Sequence, residues 1–146
     1  MIESFESQEF LVVADQTCAV ARARSPDEYA TEAWVRTAVG RAYYGFYLVV
    51  RSAIMERHRI AARRLTHGAL YTHLQNSRGH HDLRAVGRHL EHLYSFRRHA
   101  DYELDPDEVW RSKLRDPNGV SALAIEAHRL SLVVPRLDFT PVVHLF

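Results

Sequence analysis

"GRAYYGFYLVVRSAI" at residues 40–54 decides how the chain folds. Taken alone, its aromatic and β-branched residues suit a strand as well as a helix. The flanks settle the reading, because Val35, Ala38, Val39 and Ala42 before it and Ala53 and Ile54 after it keep helical spacing. Between Pro26 and His58 only Gly40 and Gly45 interrupt the pattern, which gives a helix of about 30 residues, roughly 45 Å long. Such a helix is apolar around nearly its whole circumference and must be covered on more than one side. It belongs at the centre of a bundle, with surplus surface for a dimer contact.

The remaining elements follow on either side. Residues 5–23 lack Gly and Pro and carry Phe10, Leu11, Val13, Ala14, Ala19 and Val20 among polar residues, which predicts a first amphipathic helix. "SPDE" at 25–28 offers Ser25 as N-cap, Pro26 at the first helical position and Glu28 three residues after the cap, so the long helix should span 26–58. "LTHGALYTHLQNS" suits a short helix over 66–76 with Thr66 as its cap. Asp82 opens a helix over 82–104 whose apolar side is Val86, Leu93, Phe96, Ala100 and Leu104. "DPDE" and "RDPNG" read as turns. A last helix spans 119–134, and "DFTPVVHLF" at 138–146 reads as a nonhelical apolar tail packed on its own fold or on a neighbour. The expected fold is all-α, a four- to five-helix up-and-down bundle in a single domain over 1–146.

Composition narrows the class. A chain of 146 residues that is 47% hydrophobic has the size of one globular domain. The one cysteine, Cys18, can form no intrachain disulfide, and the opening "MIESFESQEF" lacks the basic and apolar regions of a signal peptide, so the cytoplasm is the expected address. The longest uncharged apolar run, "AYYGFYLVV", is far short of the roughly 20 residues that span a bilayer, so no membrane partner is expected.

The formal net charge of +1 hides a partition. Residues 1–32 hold seven acids against Arg22 and Arg24, a net of −5. Residues 33–100 hold twelve arginines against Glu56, Asp82 and Glu91, a net of +9, and residues 101–146 hold eight acids against five bases, a net of −3. Codon habit accounts for arginine outnumbering lysine, but it does not segregate charge. The partition fits a polyanionic partner, or acidic ends folded over a basic middle. If RNA is that partner, Arg41, Arg51, Arg57, Arg59, Arg63 and Arg64 are its candidate phosphate contacts, with a solvated hinge as the bland alternative.

"FRRHADYEL" at 96–104 concentrates the chemistry. Stepping about 100° per residue from Arg98, Tyr102 falls near +40°, His99 near +100°, Asp101 near −60° and Arg97 near −100°. These five form one polar fan, with Phe96, Ala100 and Leu104 behind it. An ordinary i,i+4 ion pair between Arg97 and Asp101 explains part of the fan without any function.

Three segments together resemble the HEPN superfamily (higher eukaryotes and prokaryotes nucleotide-binding), in its short stand-alone prokaryotic members. "GRAYYGFYLVVRSAI" resembles its Arg-x-Tyr-Tyr helix, "LTHGALYTHL" the Thr-His start of its third helix, and "LYSFRRHADYEL" the Arg-x-x-Ala-Asp-Tyr ending of its fourth. The resemblance implies a homodimer, a toxin-antitoxin or defence module with a nucleotidyltransferase or antitoxin as partner, and RNA as target. It further implies a metal-independent endoribonuclease with no cofactor, built on an Arg, four to six intervening residues and a His at the dimer cleft. Here Tyr102 stands at that position after Arg97, and a phenol with a pKa of about 10 is a poor base at neutral pH. His99 lies on the same fan and is the candidate replacement. The catalytic candidates are thus Arg97, Arg98, His99, Asp101 and Tyr102, against the alternative of a catalytically silent subunit that scaffolds a partner. His80, His81, His89 and His92 lack the converging cysteine or carboxylate of a zinc site, so no metal is expected.

Overall fold

The computed structural model describes residues 7–25, 28 and 30–146. Seven α-helices and no strand occur among them: α1 (Gln8–Arg22), α2 (Thr31–His58), α3 (His67–Gln75), α4 (His81–Tyr102), α5 (Glu108–Leu114), α6 (Pro117–Val133) and α7 (Thr140–Val143). The all-α expectation holds, with more helices than the four or five anticipated. The four long ones, α1, α2, α4 and α6, form the bundle, and the short ones close its ends.

The long apolar segment is one helix, as its periodicity requires. Val35, Ala38, Val39, Ala42, Tyr43, Phe46, Tyr47, Val50 and Ile54 are all buried. Phe10 and Leu11 of α1 lie beside Gly45, while Tyr43 meets Tyr94 of α4 and Phe46 meets His89. α6 covers a further side. Most of the apolar surface of α2 is therefore met within one chain, although Tyr44, Leu48 and Val49 are half-buried and Trp34 is exposed. Other exposed apolar side chains include Val12, Val13 and Val20 of α1 and Ile125 and Leu132 of α6. The buried face of α1 is Leu11, Ala14, Thr17, Cys18 and Ala21.

Several helix ends differ from the sequence reading. α2 begins at Thr31, after Ala30 in the left-handed region (φ 69°), although the Ser25 N–H still donates to the Glu28 carboxylate at 3.2 Å. Residues 5, 6, 26, 27 and 29 of the expected helices lie outside the described residues. The Thr66 hydroxyl caps α3 as expected, accepting from the Ala69 N–H at 3.2 Å. The two turn-like segments are helix starts: the Asp107 carboxylate accepts from the Trp110 N–H at 3.0 Å to open α5, and Asp116 accepts from the Asn118 N–H at 3.1 Å to open α6 with Pro117 in its first turn. α4 stops at Tyr102, which turns Leu104 out to 93% exposure instead of into the core. The tail contains α7, and it packs on its own fold through buried Phe139 and Val142.

The two interruptions in α2 behave differently. A Cβ on Gly45 would lie 2.9 Å from the Phe10 Cβ and 3.0 Å from the Leu11 Cγ, so glycine is what lets α1 approach. A Cβ on Gly40 meets nothing within 4 Å. Gly45→Ala should therefore lose about 1–3 kcal/mol through overpacking, whereas Gly40→Ala should gain up to about 1 kcal/mol of helix propensity. Urea denaturation of the two variants checks the opposite signs.

Candidate functional site

The polar fan sits where α4 ends, and α2 holds that end in place. Arg36 of α2 donates to the carbonyl of Ala100 (2.7 Å), an acceptor that the last helical turn leaves open, and to that of His99 (3.1 Å), which also accepts from the Glu103 N–H. Its other donors are fixed by Glu32, at 3.1 and 2.8 Å. Arg97 lies on the side facing α2. Its guanidinium donates to Asp101 (2.8 Å) and to the Tyr44 hydroxyl (2.7 Å), with a longer contact to the Tyr102 hydroxyl (3.4 Å). The same guanidinium lies over the rings of Tyr44 and Tyr102, at 5.0 and 5.4 Å from their centroids. The expected i,i+4 pair is thus present and forms part of a larger cluster.

His99 turns to the other flank. Its ring stacks on Trp110 of α5 at 3.6 Å, its Nδ1 bonds the Ser95 carbonyl at 2.8 Å, and its Nε2 lies 3.5 Å from Glu103. The Nδ1 is engaged by a backbone acceptor, whereas no hydrogen bond holds the Nε2 among the described residues. Arg98, at the centre of the fan, is exposed and lies 6.0 Å from the Tyr94 ring centroid. Beside it is a cleft of about 380 Å³, whose walls include Tyr94, Arg98, Tyr102 and an edge of His99 together with the carboxylates of Glu91 and Glu103.

A second imidazole does face the arginines. His67, the first residue of α3, stacks with Tyr94 (5.5 Å, 19°) and packs against Tyr47 at 4.4 Å, and its Nδ1 is hydrogen-bonded to the Tyr43 hydroxyl. Arg97 lies 5.9 Å from the Tyr43 ring centroid and Arg51 lies 5.2 Å from that of Tyr47. Burial, then the positive fields of Arg97 and Arg51, hold the His67 pKa below its ordinary value. Burial pushes the Tyr43 phenol well above its own, so it stays protonated. The sequence reading named neither His67 nor Tyr43 as a site residue. The signal available was the Thr66 cap, which places His67 at the positive end of α3.

The other arginines are spread out. Arg41 lies over the Phe10 ring at 5.6 Å. Arg57 is tied to the end of the chain, donating to the carbonyls of Leu137 (2.6 Å) and Val134 (3.2 Å) and to that of Pro135. Arg59 ends α2, and Arg63 and Arg64 lie exposed on the following single turn. Arg51 joins the cluster around Arg97 through the Tyr47 ring, and Arg41 lines a small pocket with Tyr44 and Asp101 on its other side. His89 is buried in the core, with a ring nitrogen 3.0 Å from the Leu123 carbonyl. Among the described residues, no three His, Cys, Asp or Glu side chains are placed to hold a metal ion. No described helix is long and apolar enough to cross a membrane.

No family model, curated protein or solved structure matches this chain.

The depressed histidines give stability a pH dependence. Burial lowers the pKa of His67, His89 and His92, with Arg97 and Arg51 adding to the effect at His67 and Lys113 at His92. The unfolded chain takes up these protons near pH 6.5, and the folded chain only at lower pH. Their contribution is therefore fully present above about pH 6.5 and is lost as pH falls below it. Denaturation midpoints should drop between pH 7.5 and 5.5, and the drop should be smaller in His89→Gln.

Proposed function

We propose that the chain is an RNA-directed protein of the HEPN kind, belonging to a toxin-antitoxin or defence module. The observation that carries this reading is the end of α4, where Arg97 is held by Tyr44, Asp101 and Tyr102 beside exposed Arg98 and within the field that depresses His67. Planar guanidiniums suit phosphate oxygens, and exposed aromatic rings suit base faces. The segment that supplies them is the one with a net charge of +9.

Single-stranded RNA should bind with an affinity that falls linearly on a log-log plot against salt. Arg98→Ala should lower that slope by about 1 and leave the melting temperature nearly unchanged, since the side chain is exposed. Anisotropy titrations at several salt concentrations measure both; a salt-independent affinity would sink the reading. Cleavage, where it occurs, should persist in EDTA, leave 2′,3′-cyclic phosphate ends and disappear in Arg97→Ala, because the arginine stabilises the phosphorane without a metal.

The silent-subunit reading is favoured by two particulars. His99 has its Nδ1 tied to the Ser95 carbonyl and its ring stacked on Trp110, and Tyr102 stands where the motif histidine would be. On that reading RNA or a partner such as a nucleotidyltransferase is bound without cleavage, and Tyr102→His creates activity by restoring the Arg-x4-His spacing.

A homodimer is part of the proposal, through a surface other than α2. Asp15 faces His128 at 3.7 Å and Arg22 donates to Ser121 at 2.7 Å, so α1 and α6 run antiparallel. On helical spacing from that seam, Val12 and Ala19 share one solvent-facing side with Ile125 and Leu132. Light scattering should give twice the 16.9 kDa chain mass. Val12→Glu combined with Leu132→Glu should return the monomer, and a monomeric wild type at micromolar concentration would refute the dimer.

A further inference from the structure

Of the two arginines that lie over Tyr43 and Tyr47, Arg51 has no anionic partner among the described residues. Its Nε is buried and has no hydrogen-bond partner among the described residues, and no ion pair links it to a carboxylate there. A guanidinium in that position keeps its full charge while losing part of its hydration, a cost that an arriving anion relieves. Arg97, by contrast, is already matched by Asp101.

The two guanidiniums lie over neighbouring rings of one helix. Tyr43 and Tyr47 are four residues apart on α2 and stack nearly parallel, 5.9 Å between centroids and 11° between planes. Arg97 is over the first and Arg51 over the second, and the His67 ring contacts both. His67 is half-buried, so its edge reaches solvent. The Tyr43 hydroxyl and His67 Nδ1 share a hydrogen bond; in the tautomer in which the hydroxyl donates, the hydrogen of the neutral ring is on Nε2. That nitrogen has no hydrogen-bond partner among the described residues.

The geometry points to a phosphate-oxyanion site formed by Arg51, the Nε2–H of His67 and Arg97, resting on the RNA-directed reading and assigning one backbone phosphate of the strand to this place. Tyr94 stacks on His67 and also walls the cleft beside Arg98, whose other walls carry Glu91 and Glu103. The groups facing His67 are the phenols of Tyr43, Tyr47 and Tyr94 and the two guanidiniums. Glu91, the carboxylate of α4 nearest in sequence to Tyr94, is bonded to Gln75 at 2.6 Å. An anion between the arginines opposes the field that disfavours the imidazolium, so binding should raise the His67 pKa.

The test follows the His67 ring signals by NMR through a pH titration, assigned with His67→Gln. The protein is measured alone, with inorganic phosphate, and with a single-stranded 2′-O-methyl oligonucleotide that cannot be cleaved. The expected result is an upward shift of the His67 pKa with both probes. Arg51→Gln should weaken oligonucleotide binding at least about tenfold, the size of a lost charged hydrogen bond. The wild-type titration carries the test if that variant does not fold. An oligonucleotide that binds, as read by anisotropy, while the His67 pKa stays unmoved overturns the phosphate site and leaves the RNA reading standing. A His67 that responds to phosphate while no oligonucleotide binds at low salt supports the site and overturns the RNA reading. A His67 pKa that phosphate does not move, together with no oligonucleotide binding by anisotropy at low salt, overturns both.

Discussion

Covering α2 is the constraint from which the rest of the architecture follows. A helix of 28 residues with apolar side chains on nearly every side cannot lie at a surface, and each neighbour answers for one sector of it. α1 comes close enough only because Gly45 has no side chain, α4 brings Phe96 and Tyr94, and the end of the chain closes over the last turns of α2 with Phe139. Two contiguous apolar clusters result. One surrounds Phe46, Val50 and Ile54, and the other surrounds Val35, Ala38 and Phe96, where α5 adds Leu114.

The same helix supplies the polar chemistry, and tyrosine is the residue that makes this compatible. Tyr43 and Tyr47 bury their rings as core residues and use their hydroxyls at the rim, on His67 and on the Leu65 carbonyl at 2.8 Å. The rings are then surfaces on which Arg97 and Arg51 can rest while keeping their charge. Packing and site are therefore one set of contacts. A substitution at Tyr43 would disturb both, whereas exposed Arg98 touches the site with little consequence for the core.

The sequence made the bundle legible to the extent that periodicity and caps operate locally. α2 was readable through its aromatic run because apolar spacing persisted on both sides, and Thr66 marked α3 by its own side chain. The Asp-Pro segments misled because an aspartate that opens a turn and one that caps a helix look alike; only the Asp107 and Asp116 contacts distinguish them. Ala30 was invisible for the opposite reason. A left-handed alanine costs about 1–2 kcal/mol, and nothing in its identity announces that the surrounding fold imposes it. The Arg97–Asp101 pair and the polar fan were readable from helical geometry. The ring partner of His99 was not, since Trp110 lies on α5, a short helix between two turn-like segments that no periodicity marks. Nor was the cluster of Arg51, His67 and Arg97, which assembles from three helices with no spacing rule to connect them.

The contrast between the two arginines bears on what the cluster can hold. Arg97 has Asp101 at 2.8 Å, so its charge is locally balanced and its planar group is fixed in orientation. Arg51 has ring contact but no counter-charge, and it depresses a nearby histidine along with Arg97. A site in which one cation is oriented and a second is unbalanced discriminates by charge: an anion relieves the second without displacing the partner of the first. A cationic or neutral ligand offers Arg51 no such relief. The acidic residues are concentrated in the first 32 and the last 46 positions of the chain, so the basic middle presents this unbalanced charge where the sequence supplies only three carboxylates of its own.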